Sequence, residues 1–201
     1  IARKVAEKSD MQYLNSGNLY RAVTYSLLEK NIQPETPVNE IASYLKQIQL
    51  GFSDNRYFVN GFDVSDHLHT DRIDSHVAEF SAIPEIREMV NLFMRTIVGK
   101  GGNFVVEGRD IATVVFPDAD RKIYLDASVE TRARRRYSQG TSDMDYESIL
   151  ESIKERDTID KNKPTGSLKM DQDSIYLDTT DLTIEEVCER VLQISKEENQ
   201  T

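Results

Sequence analysis

Four short apolar runs, each closed by a polar cluster and each followed by or set between helical stretches, constrain this chain more than any other feature. Met11 to Leu14 runs into Asn15-Ser16-Gly17, and Asn103 to Glu107 runs into Gly108-Arg109-Asp110. Lys122 to Leu125 ends at Asp126-Ala127-Ser128, and Ser174 to Leu177 at Asp178-Thr179-Thr180. Between them lie helical patterns. Residues 18–30 place Leu19, Ala22, Val23, Leu27 and Leu28 on one side; 129–137 form a basic helix, 146–161 a long charged one and 182–196 an amphipathic one. Strands that alternate with helices build a parallel sheet covered on both faces. Such sheets bind ligands at the carboxyl ends of their strands, where the four polar clusters fall.

The remaining segments add a second texture. Residues 38–47, 71–80 and 85–98 have helical spacing, the last two separated by Pro84. From Ile48 to Val64, alternating apolar residues are broken by Ser53-Asp54-Asn55 and Asn60-Gly61, the pattern of a small antiparallel sheet with two tight turns. The chain opens on Ile1 in a helical pattern with no cap before it, so we expect a helix whose entry lies upstream.

Composition narrows the chemistry. The longest apolar run falls well short of the ~18 residues that span a membrane. Cys188 is the single cysteine and is expected in the core, and no Cys/His cluster has zinc spacing. The expected location is the cytoplasm, with no membrane partner. With 25 basic and 35 acidic residues the net charge is −10, which repels nucleic acid. A phosphate ligand would need a local group of cations.

Such groups are present. Glu107 ends an apolar strand, where a carboxylate either caps the strand or holds Mg²⁺, directly or through water. Arg109 and Asp110 follow at once: an arginine fork suits a phosphate, and an aspartate accepts from an amine or sugar hydroxyl. Arg21 lies one turn into the helix read over 18–30 and points back toward the edge where Ser16 sits. Arg132, Arg134, Arg135 and Arg136 crowd one short helix, with Arg132 and Arg136 on one face. A polyanionic ligand would relieve their repulsion; pairing with the acidic helix behind would do so too. Arg156 and Asp160 stand at i, i+4 with Lys163 close by. His67, His69 and His76 have no acid or Cys set beside them and are expected at the surface.

Together these residues resemble the bacterial cytidylate kinases, of the nucleoside monophosphate kinase family. The match rests on Asn15-Ser16-Gly17-Asn18-Leu19-Tyr20-Arg21, Ile83-Pro84-Glu85-Ile86-Arg87, the run from Val106 to Ala119, Tyr124-Leu125-Asp126-Ala127-Ser128, and Glu155-Arg156-Asp157 with Asp160. The resemblance implies a three-layer α/β P-loop NTPase fold with a five-stranded parallel core. It divides the chain into core (1–36), an NMP-binding region (37–98) with its antiparallel insertion near 48–64, core (99–131), a helical lid with flanking helices (132–168) and core (169–201). It implies phosphoryl transfer from ATP to CMP or dCMP with Mg²⁺, by a monomer. By motif position Ser16, Tyr20, Arg21, Arg87, Arg109, Asp110, Arg156, Asp160 and Lys163 would bind CMP. Arg132 and Arg136 would bind ATP, Arg109, Arg156 and Arg136 would serve catalysis, and Glu107 would hold Mg²⁺ through water.

The departures from that family are also specific. These 201 residues contain no G-x-x-x-x-G-K-[ST] loop; Gly99-Lys100-Gly101-Gly102 precedes a strand instead of following one. The expectation is a chain shortened at its start by about 20–25 residues, the length of a strand, a loop and a first helical turn. Asn15 stands where the family usually has Asp, Ala78 where it has Ser, Ala112 where it has Gly, and Lys163 where it has Arg. Two other readings follow: a CMP-binding relative without an ATP cradle, or a kinase of another small phosphate acceptor.

Overall fold

The computed structural model describes residues 1–140, 144–162 and 166–197, with the backbone alone over 159–162. It forms two compact units, one of Ala2–Gly108 and one running from Arg109 onward together with Ile1.

The first unit opens with α1 (Ala2–Lys8), β1 (Gln12–Asn15) and α2 (Ser16–Glu29). After α3 (Val38–Leu45), three short strands follow: β2 (Leu50–Ser53), β3 (Arg56–Val59) and β4 (Phe62–Asp63). Then come α4 (Asp71–Asp74), α5 (Val77–Phe80), α6 (Pro84–Gly99) and β5 (Phe104–Glu107). β1 and β5 pair in parallel, Gln12 opposite Phe104 through Asn15 opposite Glu107. β2, β3 and β4 form the expected antiparallel meander. Its two turns carry positive φ at both central residues, Asp54 and Asn55 (51° and 59°), then Asn60 and Gly61 (51° and 81°). That backbone matches the right-handed twist of a hairpin, and Asn, Asp and Gly tolerate it best. Leu14, Leu19, Val23, Leu27, Ile41, Phe80, Ile86, Val90 and Met94 are completely buried and make the core.

The second unit contains β6 (Ile123–Asp126), α7 (Val129–Ser138), α8 (Tyr146–Asn162), β7 (Ile175–Asp178) and α9 (Ile184–Lys196). β6 and β7 are parallel, with Asp126 opposite Asp178. α7 and α8 pack through Ala133, Ile149 and Ile153, flanked by Val129, Tyr146 and Leu150. Cys188 is buried on α9, as its apolar face requires. Among the described residues no helix is long and apolar enough to cross a membrane.

Three expectations are corrected. The helix expected over 71–80 is two single turns, α4 and α5. Ser75 Oγ and His76 Nδ1 both bond the Arg72 carbonyl, at 3.1 and 2.8 Å, so side chains compete for the acceptor that a continuous helix would use. Ile111–Val115, assigned no element from the sequence, winds as a π-helical turn, with Phe116 N–H donating to the Ile111 carbonyl at 2.8 Å. Its β-branched run of Ile111, Thr113, Val114 and Val115 crowds a tight α-helix. The last helix begins at Ile184, not Leu182, because Thr183 and Glu186 close a reciprocal capping box ahead of it.

Candidate active site

In the first unit the site grows from the carboxyl end of the β1–β5 pair. Asn15 and Glu107 are register neighbours, so parallel pairing sets their side chains together. The Asn15 amide donates from Nδ2 to Glu107 Oε1 at 2.6 Å and to the Tyr13 hydroxyl at 3.0 Å. The Tyr13 hydroxyl donates to the same Glu107 oxygen. Burial first, and that bond second, push the Tyr13 phenol well above its usual range. Asn15 Oδ1 meanwhile accepts from Asn18 N–H at 3.2 Å and caps α2. A Cβ on Gly17 would lie 3.0 Å from Asn15 Oδ1, close enough that the capping side chain would have to give by a few tenths of an ångström.

The same unit places the cations read from its two motifs. Ser16, at the first turn of α2, is buried. The Arg87 guanidinium, from α6, lies 5.6 Å from the centre of the Tyr20 ring and donates to the Ser81 carbonyl at 3.2 Å. Arg21 pairs with Asp74 at 2.5 Å and donates to the Leu68 carbonyl at 3.0 Å. The α4 turn thus fixes Arg21, a partner that a scan for local pairs does not find. His67 stacks on Tyr25 with centroids 5.6 Å apart.

In the second unit, Asp110 is buried at the start of the π-helical turn and Arg109 is half-buried beside it. Burial first, then the nearby Arg156 charge, lowers the Arg109 guanidinium to about 10; Asp157 opposes that shift. A half-buried guanidinium with an exposed arginine's charge acting on it is chemically suited to an anion. The side chain of Asp160, and Lys163 altogether, lie outside the described residues.

The basic helix divides its labour. Arg132 is bound at 2.8 and 2.6 Å by the two oxygens of Asp157, and its Nε donates to the Ala127 carbonyl at 3.1 Å. Arg135 ties α7 to the chain after β7, donating to the Thr179 and Leu182 carbonyls at 2.5 and 2.9 Å. Arg134 and Arg136 are exposed. Pairing with the acidic helix therefore accounts for Arg132, and backbone carbonyls for Arg135. The sequence offered the acidic helix as a partner without singling out Asp157, and it gave no sign of the backbone at Thr179 and Leu182.

Glu107 is chemically suited to Mg²⁺. It offers a hard carboxylate; Oε1 is oriented by Tyr13 and Asn15, and Oε2 takes part in neither bond. No group of three or more His, Cys, Asp or Glu gathers among the described residues. A single carboxylate matches the way Mg²⁺ is usually held, with waters and substrate phosphates completing its shell.

Comparison with known proteins gives the same direction. The family model described as "Cytidylate kinase" matches residues 1–197. A cytidylate kinase of Caldanaerobacter subterraneus subsp. tengcongensis is 41% identical over 197 residues, 96% of this chain and 87% of its own length. One from Clostridium botulinum (strain Langeland) is 35% identical, covering 98% of this chain and 91% of the relative, and one from Borrelia duttonii is 36% identical, covering 96% and 90%. These matches span nearly the whole of this chain. A family model over residues 1–197, with relatives at 35–41% identity along nearly the whole length, shows that this chain belongs to the cytidylate kinase family.

Proposed function

We propose that this protein transfers a phosphoryl group from ATP to CMP or dCMP, and that the two arginine groups divide the recognition of the acceptor. Arg109, Arg156 and Arg21 bind the CMP phosphate, with the buried Ser16 at the α2 N-terminus, where backbone N–H groups favour an anion. Arg87, held over Tyr20, and the buried Asp110 read the cytosine, the aspartate accepting from its amine. Asp160 and Lys163 complete the acceptor set. Arg136, and the two N–H groups of Arg132 left after Asp157 and Ala127 have taken three, face the ATP phosphates. α7 and α8 form the candidate lid.

The chemistry asks little else of the protein. The acceptor phosphate is already anionic, so no general base is needed. Arg109, Arg156 and Arg136 act by position and charge, stabilising the negative charge spread over the transferred group. Glu107 would hold Mg²⁺ through water, and the ion when bound would neutralise phosphate charge. The enzyme works as a cytoplasmic monomer on free nucleotides, a role suited to a net charge of −10 that disfavours nucleic acid.

The observation that carries this reading is the half-buried Arg109 guanidinium, which burial first and the Arg156 charge second hold below its usual range. A bound phosphate would favour the charged form of both guanidinium groups. The test is a coupled assay of ADP formation with CMP, dCMP, UMP and AMP as acceptors. CMP and dCMP are expected to exceed AMP by at least about 100-fold in kcat/KM, the scale of a lost base-reading hydrogen-bond set. Equal rates with AMP would overturn the assignment of the acceptor.

A further inference from the structure

Asp157 is assigned to neither substrate, yet it holds one proposed ligand and adjoins another in α8. Its two oxygens take both terminal nitrogens of Arg132 at 2.8 and 2.6 Å. The two side chains are 27% and 33% exposed, so the pair is only partly screened by water. The third donor of the same guanidinium is anchored on the Ala127 carbonyl, where β6 ends. The fork therefore ties α8 to the root of α7.

The apolar seam between these helices cannot do this alone. Ala133, Ile149 and Ile153 hold the helices together, but apolar contact is non-directional. A planar two-point bond fixes rotation and displacement along the axis together. Each residue of α8 advances ~1.5 Å, so the level at which Asp157 is tied sets the level of Arg156. The charges of Arg156 and, in the opposite sense, of Asp157 itself both reach Arg109.

We propose that Asp157 is a positioning residue, whose fork with Arg132 fixes α8 in register against α7 and so sets Arg156 beside Arg109. The inference rests on the assignment of Arg156 to the CMP phosphate. A displacement of ~1 Å at such a group costs up to about 100-fold in rate, so a fork that holds it carries a measurable share of acceptor binding.

The test is CMP binding by titration calorimetry to four proteins: the parent, Asp157→Asn, Arg156→Ala and the double variant, each confirmed folded by its melting transition. Asp157→Asn is expected to weaken CMP about tenfold in the parent and less than twofold once Arg156 is gone. Asp157→Glu, which keeps the carboxylate but sets it one methylene further out, is expected to recover only part of the loss. Equal losses in both backgrounds would make the fork a strut with no role in the site and overturn the proposal. So would an unchanged affinity in Asp157→Asn beside a weakened Arg156→Ala. If Arg156→Ala alone binds CMP as the parent does, the acceptor assignment itself fails and this inference falls with it. Should Asp157→Asn not fold, Arg132→Lys breaks the fork from the other side, with the same tenfold loss expected and an unchanged affinity overturning the proposal.

Discussion

Asn15 shows how one atom's identity can settle the electrostatics of a sheet end. Its Nδ2 donates to Glu107 from a register-paired position, where the family's usual aspartate would offer a second carboxylate in place of a donor. Two ionised carboxylates at 2.6 Å cannot coexist without a cation or a shared proton. Asn15→Asp should therefore lower stability by about 1–3 kcal/mol in metal-free buffer, the range for a broken buried bond. Added Mg²⁺ should restore much of it, because the new pair can share the ion. Melting curves with and without Mg²⁺ check this; a variant that melts like the parent in EDTA would remove Glu107 and Asn15 from a common site.

At the scale of elements, what could be seen in the sequence and what could not divide along the range of the interaction. The strands, most helices and the antiparallel insertion were legible because apolar periodicity and turn chemistry act within about ten residues. Asp54-Asn55 and Asn60-Gly61 signal tight turns by themselves, and both turns are there. The clusters Asn15-Ser16-Gly17 and Glu107-Gly108-Arg109-Asp110 were legible as candidate sites because turns at carboxyl strand ends are where such sheets bind ligands. The partners of the arginines were not. Arg21 with Asp74, Arg132 with Asp157 and Arg135 with Thr179 span 25 to 53 residues, and only the folded chain chooses them. The break between α4 and α5 was hidden for a different reason, since side chains there outbid a backbone pattern that still has helical spacing. The start of α9 was readable in principle: Thr183-Ile184-Glu185-Glu186 is a capping-box sequence, and it places the helix two residues later than apolar spacing does. Thr183→Ala removes the acceptor for Glu186 N–H and should cost about 1 kcal/mol. Chemical denaturation should show this as a lower midpoint with an unchanged slope. A loss below ~0.3 kcal/mol would mean that α9 is held by Val187, Cys188 and Val191 alone.

For the molecule as a whole, the unusual fact is that a protein of net charge −10 takes an anion as its substrate. Bulk charge works against this encounter, so the affinity has to come from a few cations close enough to outweigh the surrounding field. The arginines meet that condition in a particular way. Arg21 and Arg132 are pre-set by Asp74 and Asp157, which in the proposed site would spare the ligand the entropy of ordering them. Burial and the Arg156 charge hold the Arg109 guanidinium below its usual range, and the Asp157 charge opposes that shift. If this is how the substrate is held, the phosphate contributes more than the base. At 100 times its dissociation constant, CMP should stabilise the fold by about 2.7 kcal/mol. For a chain of this size that is a rise of about 5–11 °C in Tm. Cytidine at the same concentration lacks the group that the arginines bind and should raise Tm by less than ~1 °C. Raising the salt should shrink the CMP effect and leave any cytidine effect alone, since screening acts on the charged contacts only. A cytidine shift equal to that of CMP would mean that the base, through Arg87 and Asp110, carries recognition, and that the clustered arginines serve the fold.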